Sequence, residues 1–153
     1  MFCGEYEHVL DEKNRLIIPA KFRAFIAEEE RQGFFLLRSP VRTERCLRMY
    51  TPAGWRRQAD AIRLEAEKRA NPVEFYRLIA GLSEFVPADT QSRVVLPQKF
   101  LADLELGREV LMLGVFHWIE VWDPKVYRSS REAAAENFPG DLIRSLMPVP
   151  PSP

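Results

Sequence analysis

Polar and apolar residues alternate from Glu5 to Leu10, with Tyr6, His8 and Leu10 set against Glu5 and Glu7. That period of two in β-prone residues predicts a half-buried strand. Asp11–Asn14 reads as a turn, because an Asp side chain bonds the backbone two residues on and Asn accepts a positive φ. Arg15–Ile18 is a short second strand, so Glu5–Ile18 is predicted to be a hairpin. Pro19 cannot continue a ladder but suits a first helical turn. Phe22, Phe25 and Ile26 follow at helical spacing, predicting a helix to about Arg31 that Gly33 ends. Phe34–Leu37 is a continuous apolar run, and the alternating Cys46–Tyr50 is predicted to pair with it. Thr51-Pro52 opens a long helix with Trp55, Ala59, Ile62 and Ala66 on one face. Asn71-Pro72-Val73-Glu74 supplies an N-cap, a first-position Pro and a Glu at N3 for another helix, striped by Tyr76, Ile79 and Ala80 and ending near Ser83.

The same order then recurs. Glu84–Ala88 is a strand that Pro87 assigns to a sheet edge. Asp89–Ser92 is a turn and Arg93–Leu96 a strand, and Pro97 starts a helix with Phe100, Leu101 and Leu104 inward. Glu109–Val115 and Trp118–Trp122 are strands, Asp123-Pro124 opens a helix, and Tyr127 stands where Trp55 stood. Asp89, Arg93, Pro97, Lys99 and Phe100 repeat Asp11, Arg15, Pro19, Lys21 and Phe22 in register, 78 residues on, with apolar residues matched between Arg and Pro. By Pro52 and Pro124 the offset is 72, so the first arm carries about six extra residues, expected within Ala27–Arg45. The chain thus divides into a first repeat with its helix (1–70), a linking helix (71–83), a second repeat with its helix (84–136) and a weakly patterned end (137–153). Met147–Pro153 is a Pro-rich run with nothing to pack. Neither arm has enough strands to bury both faces. The expected fold is α+β, with four strands from each arm joined by a pseudo-twofold into one β-core or small barrel with flanking helices.

Hydrophobic residues make up 46% of the 153 and charged residues 29%, which is globular composition. The formal net charge is zero, so any polyanion site is a local patch. Cys3 and Cys46 form no Cys-x-x-Cys pair and fit small half-buried apolar positions in a reducing compartment. The first residues lack the basic and apolar regions of a signal peptide, and no apolar run reaches the roughly 20 residues of a membrane span. The expected setting is the cytoplasm, without a membrane partner.

Chemistry that would mark an enzyme is sparse. His8 and His117 lack metal-ligand spacing, and no phosphate loop, nucleophile elbow or zincin helix occurs. The expectation is a non-enzyme with no cofactor, no metal and no small-molecule substrate. Asp11 with Arg15, and Asp89 with Arg93, are four apart across a turn, the spacing of an ion pair that fixes the turn. That role leaves a second one open. An Arg just past a tight turn on a two-stranded ribbon can enter a major groove or grip a phosphate. Lys13 and Lys21 add positive charge, diluted by Glu5, Glu7 and Glu12. Against this stands a plain solvated hairpin tip, or an oligomeric scaffold in which both Asp–Arg pairs only build structure. Arg38, Arg42, Arg45 and Arg48 lack interleaved aromatics and read as a solvated loop and edge face.

At these residues the chain resembles the MraZ family, regulators built from two AbrB-like repeats. Met1–Tyr6 is similar to the family's opening, and Asp11–Lys21 to its Asp-x-Lys-Gly-Arg-x-x-Ile-Pro signature. Asp89–Pro97 is similar to the second copy, and Gly114-Val115 with Ile119–Trp122 to the segment after it. The likeness covers about Met1 to Tyr127. It implies a swapped-hairpin fold, ring assembly and binding of double-stranded DNA at short direct promoter repeats, with repression of a division and cell-wall gene cluster. It implies DNA contact by Arg15 and Lys13, with Arg93 as counterpart; the residues themselves add Lys21 in support and Asp11, Asn14 and Asp89 orienting the turns. The family's turn Gly is Asn14 in the first copy and Ser92 in the second. Ser holds a left-handed turn less readily than Asn, so the second turn is expected to be reshaped or mainly structural.

Overall fold

The computed structural model describes residues 1–39, 41, 43–138 and 140–146, with the backbone alone for Asp141, Ile143 and Ser145. Arg42 of the basic cluster and the Pro-rich run Met147–Pro153 lie outside the described residues.

Among the described residues each arm contributes four strands. The first supplies β1 (Phe2–Val9), β2 (Arg15–Ile17), β3 (Gly33–Arg38) and β4 (Cys46–Tyr50). The second supplies β5 (Ser83–Pro87), β6 (Arg93–Val95), β7 (Glu109–Phe116) and β8 (Trp118–Trp122). Six of them form one antiparallel sheet in the order β1-β7-β8-β4-β3-β5, and β2 pairs with β6 as a separate ribbon. Exchanging each strand for its repeat equivalent reverses the six-strand order onto itself, which is the pseudo-twofold expected from the duplication. The axis passes between Leu16 and Val94 in the ribbon and between Arg48 and Glu120 in the sheet, since each of these equivalent pairs is in direct register. Of the two forms expected, the β-core is found. No closed barrel occurs among the described residues, because β1 and β5 remain the sheet's edges. Pro87 lies on edge strand β5, as a residue without an N–H donor should.

Two expectations of local secondary structure fail. β1 and β2 do not form a hairpin ladder. β1 finds eight partners on β7, from Phe2 opposite Phe116 to Val9 opposite Glu109, and three-residue β2 could offer no such length. The predicted helix to Arg31 is also broken. Only α1 (Ala20–Arg23) is α-helical, followed by a 3-10 turn at Glu28–Glu30, and Phe25 is exposed. Three glutamates ending a helix would oppose its dipole, whereas in the first turn of the 3-10 segment they complement it. Arg31 instead bonds the carbonyls of Ile26 and Arg23.

Three of the remaining helices begin at the side-chain caps the sequence predicts. Thr51 Oγ1 accepts from Gly54 N at the start of α2 (Pro52–Ala66). Asn71 Oδ1 accepts from Glu74 N before α3 (Pro72–Gly81). Asp123 Oδ1 accepts from Lys125 N and Val126 N before α5 (Pro124–Asn137). Pro97 precedes α4 (Gln98–Asp103), and α6 (Gly140–Leu146) follows α5. The extra residues of the first arm lie between β3 and β4, where Ser39–Arg45 connects the strands and His117 alone connects β7 to β8.

The main core is built from both copies of the repeat. Leu16, Ile18 and Phe22 are buried together with their equivalents Val94, Leu96 and Phe100, alongside Met49, Met112, Ile119 and Val121. Cys46 is buried and its thiol is pushed up to about 12, first by burial, whereas Cys3 is exposed. The two cysteines therefore do not share the half-buried setting expected of them. The basic residues read as a solvated face are engaged instead. Arg38 pairs with Asp103 at 3.5 Å and Arg45 with Glu105 at 2.7 Å. Arg48 pairs with Glu44 and Glu120 and lies over the Trp118 ring. β4 is an inner strand of the sheet, so its polar residues must find partners there.

Candidate nucleic-acid interface

The site is built twice by one turn. Asn14 N donates to the Asp11 carbonyl at 3.0 Å, and Ser92 N donates to the Asp89 carbonyl at 2.9 Å. Both closing residues are left-handed, with φ of 56° at Asn14 and 58° at Ser92. The expectation of a reshaped second turn is therefore wrong in its geometry: Ser92 holds the same conformation as Asn14. The surrounding bonds supply the reason. The Ser92 carbonyl accepts from Ile18 N, as the Asn14 carbonyl accepts from Leu96 N, both at 2.9 Å. Each turn is thus clamped by the strand of the other copy, which offsets the steric cost of a side chain at positive φ.

Within each turn the aspartate does the orienting. Asp11 Oδ1 accepts from Lys13 N and Arg15 N, both at 2.9 Å, and Oδ2 accepts from Arg15 Nε. Asp89 repeats this with Gln91 N at 2.9 Å, Arg93 N at 3.0 Å and Arg93 Nε at 2.7 Å. The Arg15 backbone N–H, then its guanidinium and the Lys13 N–H, hold the Asp11 carboxyl well down, at about 2. Asp89 is lowered by the matching groups of Arg93 and Gln91. Each guanidinium is positioned through Nε, and its terminal nitrogens have no hydrogen-bond partner among the described residues. Those N–H groups form a planar fork suited to a guanine edge or a phosphate.

The ribbon brings the two forks together. Arg15 lies opposite Val95 and Ile17 opposite Arg93, so Arg15 and Arg93 are diagonal neighbours on one face. Leu16 and Val94 point the other way into the core. The outer face is therefore Arg15, Ile17, Arg93 and Val95. Its apolar members are 51% exposed at Ile17 and 53% at Val95. Sequence reasoning missed these two, because each follows an inward apolar residue and no polar alternation marks it as outward.

Of the residues expected in the site, Asp11, Lys13, Asn14 and Arg15 share one turn, and Asp89 and Arg93 share its counterpart. Lys13 is exposed. Asn14 also reaches across the copies, donating from Nδ2 to Gln98 Oε1 at 3.0 Å. Lys21 lies on α1 with Nζ 5.7 Å above the Tyr6 ring, and its equivalent Lys99 pairs with Glu84 at 2.8 Å. His8 is half-buried on β1, where burial lowers its pKa. No group of three or more His, Cys, Asp or Glu able to hold a metal occurs among the described residues, and none of their helices is long and apolar enough to cross a membrane.

The repeat-and-ribbon arrangement has relatives. The family described as "MraZ protein, putative antitoxin-like" matches residues 1–74 and again 80–141. A protein of Pediococcus pentosaceus named transcriptional regulator MraZ is 31% identical over 147 residues, covering 96% of this chain and 97% of its own. A protein of the same name from Thermomicrobium roseum is 30% identical over 139 residues, covering 91% of this chain and 93% of its own. With both repeats matched and relatives aligned almost end to end, the chain belongs to the MraZ family.

Proposed function

We propose that this chain is a non-enzymatic DNA-binding transcriptional regulator whose reading element is the β2/β6 ribbon. The observation that carries the reading is the outer face of that ribbon, where two guanidiniums are each fixed through Nε by an aspartate and keep their terminal donors unspent. The names of the relatives support the same reading. Arg15 is the principal base contact and Arg93 its partner. Lys13 and Lys21 serve the phosphates, while Asp11, Asn14 and Asp89 hold the turns in shape. A neutral chain binds a polyanion weakly through a single site. The function therefore calls for a ring of subunits engaging short direct promoter repeats together, where tethering raises the effective concentration of each contact. The expected target is a division and cell-wall gene cluster that contains the regulator's own gene, and the expected activity is repression in the cytoplasm at the nucleoid.

Selection of bound duplexes from the chain's own genomic DNA tests this. Enrichment of a short tandem repeat upstream of cell-wall genes is the expected result. Arg15→Ala should then abolish retention while leaving particle size and Tm unchanged, and affinity should fall steeply with salt as phosphate contacts release counterions. Retention on no duplex at all, at any salt, would leave the Asp–Arg turns as scaffold elements and overturn the reading.

A further inference from the structure

Charge alone does not account for the ribbon's outer face. It carries two aliphatic side chains, Ile17 and Val95, half exposed and directly opposite Arg93 and Arg15 respectively. Their inward neighbours Leu16 and Val94 already fill the core, so packing within the chain does not require a branched hydrocarbon at the outward positions. A solvent-facing ribbon would favour polar residues there.

We infer that Ile17 and Val95 are specificity-determining residues that contact thymine C5-methyl groups beside the guanines read by Arg15 and Arg93. The inference rests on the DNA-binding reading above and deepens it. The chemistry fits at each point. The major groove is about 12 Å wide and admits a two-stranded ribbon, and there guanine offers O6 and N7 to a guanidinium fork while thymine offers a methyl to an apolar side chain. Directly opposite residues on a ribbon are roughly 5 Å apart, so one Arg and one aliphatic side chain reach neighbouring base edges as a unit. The two units, Arg15 with Val95 and Arg93 with Ile17, are two residues apart along the strands. That is about 6.7 Å, close to two base steps of about 3.4 Å. The pseudo-twofold turns one unit into the other, so both offer a guanidinium fork beside an aliphatic side chain. Each subunit should therefore recognise a core in which a guanine–thymine neighbourhood occurs twice, about two base pairs apart.

The test uses the full chain and duplexes selected from a random 20-base-pair library. Replacing thymines of the selected core with deoxyuridine removes only the methyl groups. Wild-type affinity should fall about fourfold per contacted methyl, the worth of one buried carbon. Ile17→Ala with Val95→Ala should bind thymine and uracil duplexes equally, at the affinity of wild type for the uracil duplex. Both residues are outward and half exposed, so the variant should keep wild-type Tm and size. The uracil comparison on wild-type protein needs no variant in any case. Selected duplexes bound equally with thymine or uracil would overturn the inference and leave DNA binding intact. So would a double variant that retains the methyl preference or changes the oligomeric state. Failure to select any duplex would overturn both readings.

Discussion

Asp11 accepts three hydrogen bonds at the surface, and this decides how its turn responds to acid. Its folded pKa is held at about 2, below the ordinary 3.8, so its stabilisation is fully present above pH 4 and is lost as pH falls through about 2. A carboxyl-carbon NMR titration should place the Asp11 midpoint near 2, whereas a midpoint near 3.8 would mean the three bonds are not kept in solution. The left-handed residues make a second prediction. Ser92 at φ 58° bears a Cβ penalty that glycine would remove, so Ser92→Gly should stabilise the protein by about 1 kcal/mol, read as a Tm rise of a few degrees. Asn14→Gly should gain less, since Asn tolerates the conformation better and its Nδ2 bond to Gln98 would be lost. The turns and their arginines were legible because Asp, Asn and Arg act within four residues of one another. Ile17 and Val95 were not recognised, because an apolar residue in a short strand does not reveal which face it occupies until its partner strand is known. The aspects of Arg38, Arg45 and Arg48 were misjudged for the same reason: their partners, Asp103, Glu105 and Glu120, lie in the other arm.

Strands and capped helices were legible wherever the signal was local, as at Thr51, Asn71 and Asp123, whose side chains bond the helix they begin. Pairing was less so. Adjacent alternating strands around a turn suggest a hairpin, yet β1 crosses to β7 because that register satisfies its whole length. The crossing depends on close backbone approach. A Cβ on Gly114 would lie 2.4 Å from Cys3 N and 2.6 Å from the Phe2 carbonyl carbon, atoms that cannot move aside without breaking the β1/β7 pairing. Gly114→Ala should therefore cost roughly 2–3 kcal/mol, as overpacking does, and should raise amide exchange at Phe2–Tyr6 before other strands. Gly33→Ala should do the same at β5, since its Cβ would lie 2.3 Å from the Val86 carbonyl oxygen. Uniform acceleration across all strands would instead mean that these glycines do not act locally.

Across the whole molecule the two arms meet at Arg48 and Glu120, which face each other on the pseudo-twofold. Glu120 is buried and accepts from Trp118 Nε1 and Trp122 Nε1, both at 2.9 Å, besides pairing with Arg48 at 3.5 Å. Glu120→Ala would leave two indole donors without their acceptor and take one of its two carboxylates from Arg48, so thermal melting should show a loss of about 3 kcal/mol. The duplication itself was visible in the spacing of the repeats. A shared core was expected from it as well, but not which strand crosses to which arm, because neighbours along the chain look like the natural pairing partners. A fragment of residues 1–70 lacks the partners of β1, β2 and β4, and should show no cooperative melt until the second arm is added. The same interleaving sets a timetable during synthesis. β1 ends at Val9 and its partner begins at Glu109, so at about 5–20 residues per second the first strand leaves the ribosome roughly 5–20 s before anything can pair with it. Throughout that wait its backbone donors and Phe2 are open to the finished β7 of a chain on a neighbouring ribosome. Crowded polysomes should therefore yield chains exchanged at β1, detectable as cross-links between isotope-labelled copies, and sparse ones should not.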